Sequence, residues 1–169
     1  LPLVDLSHKP QRFLHLCSEL EQLIPQNVTN YNQLKFLSTI LPKKQNNRQR
    51  ICFFFSDFLD GPNDFQSIFS FLQNTFQHCF IFHLIDIDEI QFPFDGQIQF
   101  LGLESEQKLD LNASVIKKLY KEESNKFFRS IEKDAQKFGL HYFQAVNENP
   151  VENIFISFLQ SWSTIRKRK

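Results

Sequence analysis

Residues Ile51–Gly61 read ICFFFSDFLDG, and the fold turns on how this stretch is read. The five apolar residues from Ile51 to Phe55 predict a strand buried on both faces, as in a parallel sheet covered by helices. Ser56 and Asp57 follow at once. An unpaired buried carboxylate costs several kcal/mol, roughly, even after relaxation. Asp57 is therefore expected at a polar rim, off the carboxyl end of the strand, with Asp60 beyond it.

Downstream, Phe65, Ile68, Phe69, Leu72 and Phe76 recur at helical spacing, with Asn63 as the expected N-cap and Gln66 three residues on. CFIFHLID, Cys79 to Asp86, is a second continuous apolar strand. A strand, a helix and a strand within about 35 residues make a βαβ unit, with parallel strands and a right-handed crossover. QIQFLGLESEQKLDL, from Gln97, behaves differently: Ile98, Phe100, Leu109 and Leu111 alternate with polar residues, the pattern of a half-exposed antiparallel hairpin. Asn112 is then expected to cap a long helix closed by Gly139. Its buried stripe would be Ile116, Leu119, Tyr120, Phe127, Ile131, Ala135 and Phe138. HYFQAV, from His141, is a third core strand. Asn149-Pro150-Val151-Glu152 starts the last helix, which is expected to bury Ile154, Phe155, Phe158, Leu159 and Trp162 before the terminal RKRK.

Upstream, Lys9 to Leu23 has a helical stripe that includes Phe13, Leu14, Cys17 and Leu20, ended by Pro25. Thr29 or Asn30 caps a second helix striped by Tyr31, Leu34, Leu37, Ile40 and Leu41, and KKQNNRQR, from Lys43, reads as an exposed basic loop. The whole pattern predicts an α/β fold: a mostly parallel sheet with helices on both faces, plus a β-hairpin insertion.

Composition narrows the function classes. The chain has 169 residues, 41% of them hydrophobic and 21 of them Phe, enough for one domain with a substantial core. Lys plus Arg and Asp plus Glu are both 19, which argues against a broad nucleic-acid-binding face. No run approaches the ~18 apolar residues of a membrane span. The start LPLVDLSHKP lacks the basic and apolar parts of a signal peptide. Cys17, Cys52 and Cys79 have no metal-site spacing and read as small thiols suited to a reducing cytosol, so a cytoplasmic location is expected. With no Met at all, the chain looks like a processed product or a piece of a longer protein.

Ligands of open parallel sheets bind outside the carboxyl ends of the strands. Two acidic strand ends arise there: Ser56-Asp57, and Asp86, Asp88 and Glu89 in IDIDE. Neighbouring strands would gather these into a carboxylate rim, which suits magnesium or else merely solvates the helix starts. His78 and His83 read as structural or solvated. The four glycines all fall at turns or caps, so no phosphate-binding loop is expected. Nor does a nucleophile elbow or a Ser/His/Asp grouping stand out.

The ordered set RICFFFSDFLD and FIFHLIDIDEIQFPFDG resembles the bacterial family called domain of unknown function fifty-eight, whose members are often encoded beside MoxR-type AAA+ ATPases. Ser56-Asp57-Phe58, Asp86, Glu89, Pro93, Gly96, Tyr120 and Gly139 carry the resemblance, which covers roughly residues 25–165. The chain departs at Ile87, where the family usually has proline. The resemblance implies a von Willebrand factor A-like (vWA-like, Rossmann-type) fold with a metal-ion-dependent adhesion site at the sheet's carboxyl end. It would carry over onto Asp57 as the later metal-binding aspartate and Thr29 as the threonine. VDLSHK, Asp5 to Lys9, does not make the first Asp-x-Ser-x-Ser loop, because Lys9 stands at the second serine position. The resemblance thus implies one vWA-like domain over 1–169 lacking its N-terminal part.

On that resemblance the expected function is a non-enzymatic vWA-like protein-interaction module working with a MoxR-type AAA+ ATPase, with weakly held Mg2+ or Mn2+. Two alternatives stand beside it: a magnesium-dependent hydrolase using Asp57, Asp86, Asp88 and Glu89, and a scaffold whose metal site has decayed. A sheet without its first strand would expose an apolar edge, so self-association through that edge is also expected.

Overall fold

A computed structural model describes residues 10–22, 50–59, 62–101 and 108–167. The elements are α1 (Pro10–Glu21), β1 (Ile51–Ser56), α2 (Pro62–Thr75), β2 (His78–Ile85), α3 (Ile87–Gln91), β3 (Gln97–Leu101), β4 (Lys108–Asn112), α4 (Ala113–Lys137), β5 (His141–Val146) and α5 (Val151–Lys167). Strands β1, β2 and β5 form a parallel sheet in the order β1-β2-β5, and β3 pairs with β4 in a separate antiparallel hairpin. The expected mixed α/β fold, with a parallel sheet flanked by helices and an added hairpin, is the one observed. The helix expected from Tyr31 and the basic loop from Lys43 lie outside the described residues. No described helix is long and apolar enough to cross a membrane.

Strand alternation divides the side chains between two layers. On one face Cys79 and Ile81 join Phe65, Ile68, Phe69 and Leu72 of α2 and Ile131 and Ala135 of α4. On the other, Phe80 and Phe82 pack against Phe158 of α5, with Ile154 and Trp162 at its margin. Two aromatic rows cross the sheet along its register. Phe53, Phe80 and His141 stand opposite one another, and so do Phe55, Phe82 and Phe143. The rings stack at 5.6 Å (Phe53–Phe80), 5.1 Å (Phe80–His141), 4.9 Å (Phe55–Phe82) and 5.3 Å (Phe82–Phe143).

The α5 face corrects the expectation that β1 is buried on both sides. Phe53 is 49% and Phe55 60% exposed. The reason is where α5 lies: Phe158 sits on Phe80 at 4.9 Å and Trp162 caps His78 at 5.2 Å, whereas α5 reaches β1 through Phe158 against Phe53 at 5.4 Å. Phe155 and Leu159, expected in the buried stripe of α5, are exposed, and so are Leu119 of α4 and Leu14 of α1. Helix α2 begins at Pro62, one residue before the cap expected at Asn63.

Both ends of α4 are informative. At its close Gly139 takes φ +68°, and the N–H of Leu140 donates to Ala135 O at 2.9 Å, so the expected glycine stop is present. At its start Asn112 holds the N-cap position but makes no side-chain capping bond, and its Oδ1 is buried with no partner among the described residues. Ala113 N–H instead donates to Gly96 O at 2.8 Å, while Ser114 Oγ donates to Asp95 Oδ1 and accepts from Gly96 N–H at 3.0 Å. A working N-cap loses about 0.5–2 kcal/mol on truncation to Ala. Asn112→Ala should instead leave the urea midpoint unchanged or raised, since it removes an unsatisfied buried acceptor. A drop corresponding to about 1 kcal/mol or more would show that Asn112 does cap α4.

Candidate functional site

The carboxyl ends of β1, β2 and β5 lie side by side and deliver Asp57, Asp86 and Asn147 to one rim. The β1 end is a tight, unusual turn. Phe58 takes φ +61°, left-handed for a non-glycine residue, and is fully buried. Its N–H donates to Ser56 Oγ at 3.1 Å, and Leu59 N–H donates to Asp57 Oδ1 at 3.2 Å. Left-handed backbone costs such a residue about 1–2 kcal/mol. Burying the ring, worth about 1.5–3 kcal/mol, offsets this. The ring meets Phe65 edge-on at 5.0 Å and His83 at 5.0 Å. The chain therefore turns its carboxylate outward by folding the next side chain back into the core.

His83 locks this turn from beneath. Its ring has no exposed surface. Nε2 lies 3.1 Å from Asp57 O and Nδ1 2.7 Å from the Tyr142 hydroxyl. A carbonyl can only accept, so Nε2 carries the proton and Nδ1 accepts from Tyr142. Burial lowers the His83 pKa to about 4, against the smaller opposing influence of the Asp57 carbonyl and charge. Tyr142 is pushed up to about 12, mainly by burial, with the Gln144 hydrogen bond acting the other way and the Glu132 charge adding to the rise. His83 is thus a neutral bridge from the β1 end to β5. The structural reading of His83 holds.

Asp86 is an N-cap. Its Oδ1 accepts from Asp88 N–H at 2.8 Å and its Oδ2 from Asn147 Nδ2 at 2.7 Å, while Ile87 N–H donates to Asn147 Oδ1 at 3.0 Å. Asp88 is exposed in the first turn of α3. Glu89 is half-buried, and its carboxyl is held above the ordinary range. Desolvation is the main cause; the charges of Asp86 and Asp57 add to it, and a backbone hydrogen bond at Asp86 opposes it. The Glu89 carboxyl therefore feels the charges of both Asp86 and Asp57 at this rim. Among the described residues none of the three is in an ion pair.

Thr29 and Asp60 lie outside the described residues. Among the described residues no three His, Cys, Asp or Glu side chains converge closely enough to hold a metal ion. Hard cations take about six to eight oxygens. Asp57 Oδ1 accepts from its own turn, and the two Asp86 oxygens accept from Asp88 N–H and Asn147 Nδ2, so part of their acceptor capacity is spent locally.

Two cavities adjoin β5. One, of about 400 Å³, opens beside the rim between Leu84, Asp86, Ala145 and Val146 and the start of α5 at Val151, and its walls are largely apolar. The other, of about 470 Å³, runs by Glu132, Tyr142, Gln144, Asn153 and Ser157. Tyr142 and Asn147 escaped the sequence reading. Tyr142 lies within an apolar strand, and Asn147 is a single polar residue at a strand end.

Other residues that carry the family resemblance have structural roles here. Tyr120 packs on Phe92 at 4.4 Å, and Gly96 and Gly139 occupy positive-φ positions. No family model, curated protein or solved structure matches the chain.

Proposed function

We propose that this chain is a non-enzymatic, vWA-like protein-interaction module that engages its partner at the carboxyl rim of the sheet, working with a MoxR-type AAA+ ATPase as the family resemblance implies. The observation that carries this reading is the rim itself. Three carboxylates, Asp57, Asp86 and Glu89, the last feeling the charges of the other two, stand beside an apolar crevice that shares Asp86 and opens at Leu84 and Val151. An acidic edge next to an apolar slot offers a partner both charge and burial, the combination that gives interfaces orientation and affinity. Magnesium or manganese at Asp57 and Thr29 belongs to the same proposal.

One specific observation favours the scaffold alternative: the Asp57 and Asp86 oxygens already serve their own turn and cap. Titration of the chain against a MoxR-type ATPase, in EDTA and in magnesium, separates the two. Binding that Asp57→Ala and Glu89→Gln each weaken by about tenfold or more, ~1.4 kcal/mol, supports the rim. Equal affinity in all three proteins sinks it and leaves the scaffold. A magnesium-dependent rise in melting midpoint, absent from Asp57→Ala, would support the metal, since a ligand of the folded state stabilises it. Metal-dependent phosphoester hydrolysis abolished by the same substitution would favour the hydrolase instead.

A further inference from the structure

Cys52 and Cys79 stand directly opposite each other in the β1–β2 register, on the face covered by α2 and α4. Both are free thiols, Cys79 buried and Cys52 half-buried. Neighbouring strands run about 4.7–4.9 Å apart, within the Cα window of about 4.4–6.8 Å that a disulfide allows. A disulfide needs Cβ atoms about 3.5–4.5 Å apart, closer than side chains that project side by side from strands at the spacing above. Closing the bond therefore needs only a local tightening of the pleat, and the strain this leaves would make the bond easily reduced.

The two thiols are also unequal. A hydrogen bond from the Cys79 thiol to Cys52 sulfur holds Cys52 below its ordinary range and, with burial, pushes Cys79 above its own. Cys52 is also the more accessible of the two residues, the order required of an attacking cysteine and its resolving partner. Cys17 lies on α1, outside this pair.

We propose that Cys52 and Cys79 form an oxidisable dithiol that a hydroperoxide converts into a disulfide joining β1 to β2. In the first step the Cys52 thiolate attacks a peroxide oxygen. The O–O bond breaks, and with hydrogen peroxide the departing hydroxide takes up a proton to leave as water, giving the sulfenic acid. In the second step Cys79 sulfur attacks Cys52 sulfur. The S–O bond breaks, and the hydroxide leaves as water with the Cys79 proton. Two thiols lose two electrons in all, and one hydrogen peroxide becomes two waters.

The test uses the full chain with Cys17→Ser, treated in native buffer with hydrogen peroxide and read by intact mass and peptide mapping. The expected result is loss of two hydrogens, a Cys52–Cys79 linked peptide, and recovery of both thiols with dithiothreitol. Adding Cys79→Ser should stop the reaction at a Cys52 sulfenic acid that dimedone captures, with circular dichroism confirming that the variant is folded. Overoxidation of Cys52 without a link, disulfides only between chains, two thiols that stay alkylatable, or a link that forms only in denaturant would each overturn the proposal.

Discussion

Phe58→Ala is expected to cost about 3–5 kcal/mol, the range for emptying a fully buried phenylalanine site. The ring fills the junction between Phe65 and Phe69 of α2 and the His83 imidazole, so no single neighbour can close the void. The informative companion is Phe58→Gly. Glycine is normally the worse replacement, because it gives the unfolded chain more freedom. Here φ is +61°, and glycine alone adopts that angle without penalty. Phe58→Gly should therefore be as stable as Phe58→Ala or more so, by up to about 1 kcal/mol. Urea denaturation of both variants decides the matter. A glycine variant clearly below the alanine one would mean that the turn carries no left-handed strain. The same pair tests the rim, since both variants keep Asp57 while loosening what holds it.

Acid should weaken the fold through His83. Its pKa is about 4 in the folded chain against 6.5 for an ordinary histidine. Because burial depresses it, the unfolded chain binds the proton first as pH falls. Stability is thus intact above pH 6.5, declines below it, and the decline is complete once the pH passes about 4. The gap corresponds to roughly 3 kcal/mol. His141 is lowered as well, by burial and then by the His78 charge, and acts in the same direction. Glu89, raised mainly by burial, acts oppositely, since acid relieves its cost.

The His83 share is isolated by comparing wild type with His83→Gln across pH 4 to 8. The variant should start lower at pH 8 and lose most of the wild-type slope between 6.5 and 4. Parallel curves would assign the acid sensitivity to other groups. Tyr142→Phe leaves imidazole Nδ1 unpaired in the core and should cost about 1–3 kcal/mol at neutral pH.

The parallel sheet was legible because continuous apolar runs at Ile51 and Cys79 admit few other readings, and a helix of the right length separates them. The hairpin was legible for the opposite reason, a strict alternation through Ile98 and Phe100. What the sequence did not reveal is coverage. Phe53 and Phe54 are the same residue type in one run, yet one faces the half-open side and the other the core beneath α2, a difference set by where α5 comes to rest. Among the site residues, the acids at Asp57, Asp86 and Glu89 could be read from charge following an apolar strand. Their local duties could not. That Asp86 is a cap depends on α3, a helix of five residues too short to show a period. The neutral state of His83 depends on its burial, and its Nδ1 finds a partner in a tyrosine 59 positions away. The capping role expected of Asn112 is not seen: its side chain makes no capping bond, while Gly96 O and the Asp95–Ser114 pair hold the start of α4.

The β3–β4 hairpin forms its own small sheet rather than extending the parallel one. It adjoins an aromatic knot in which Phe92 meets Phe94 at 5.2 Å and Tyr120 at 4.4 Å, with Phe94 against Phe100 at 5.5 Å. A unit with separate ladder bonds and few ties to the main core can open without the rest. Amide protons of Ile98 to Leu101 should therefore exchange with solvent much sooner than those of Phe80 to His83, giving the molecule two protection tiers rather than one cooperative block.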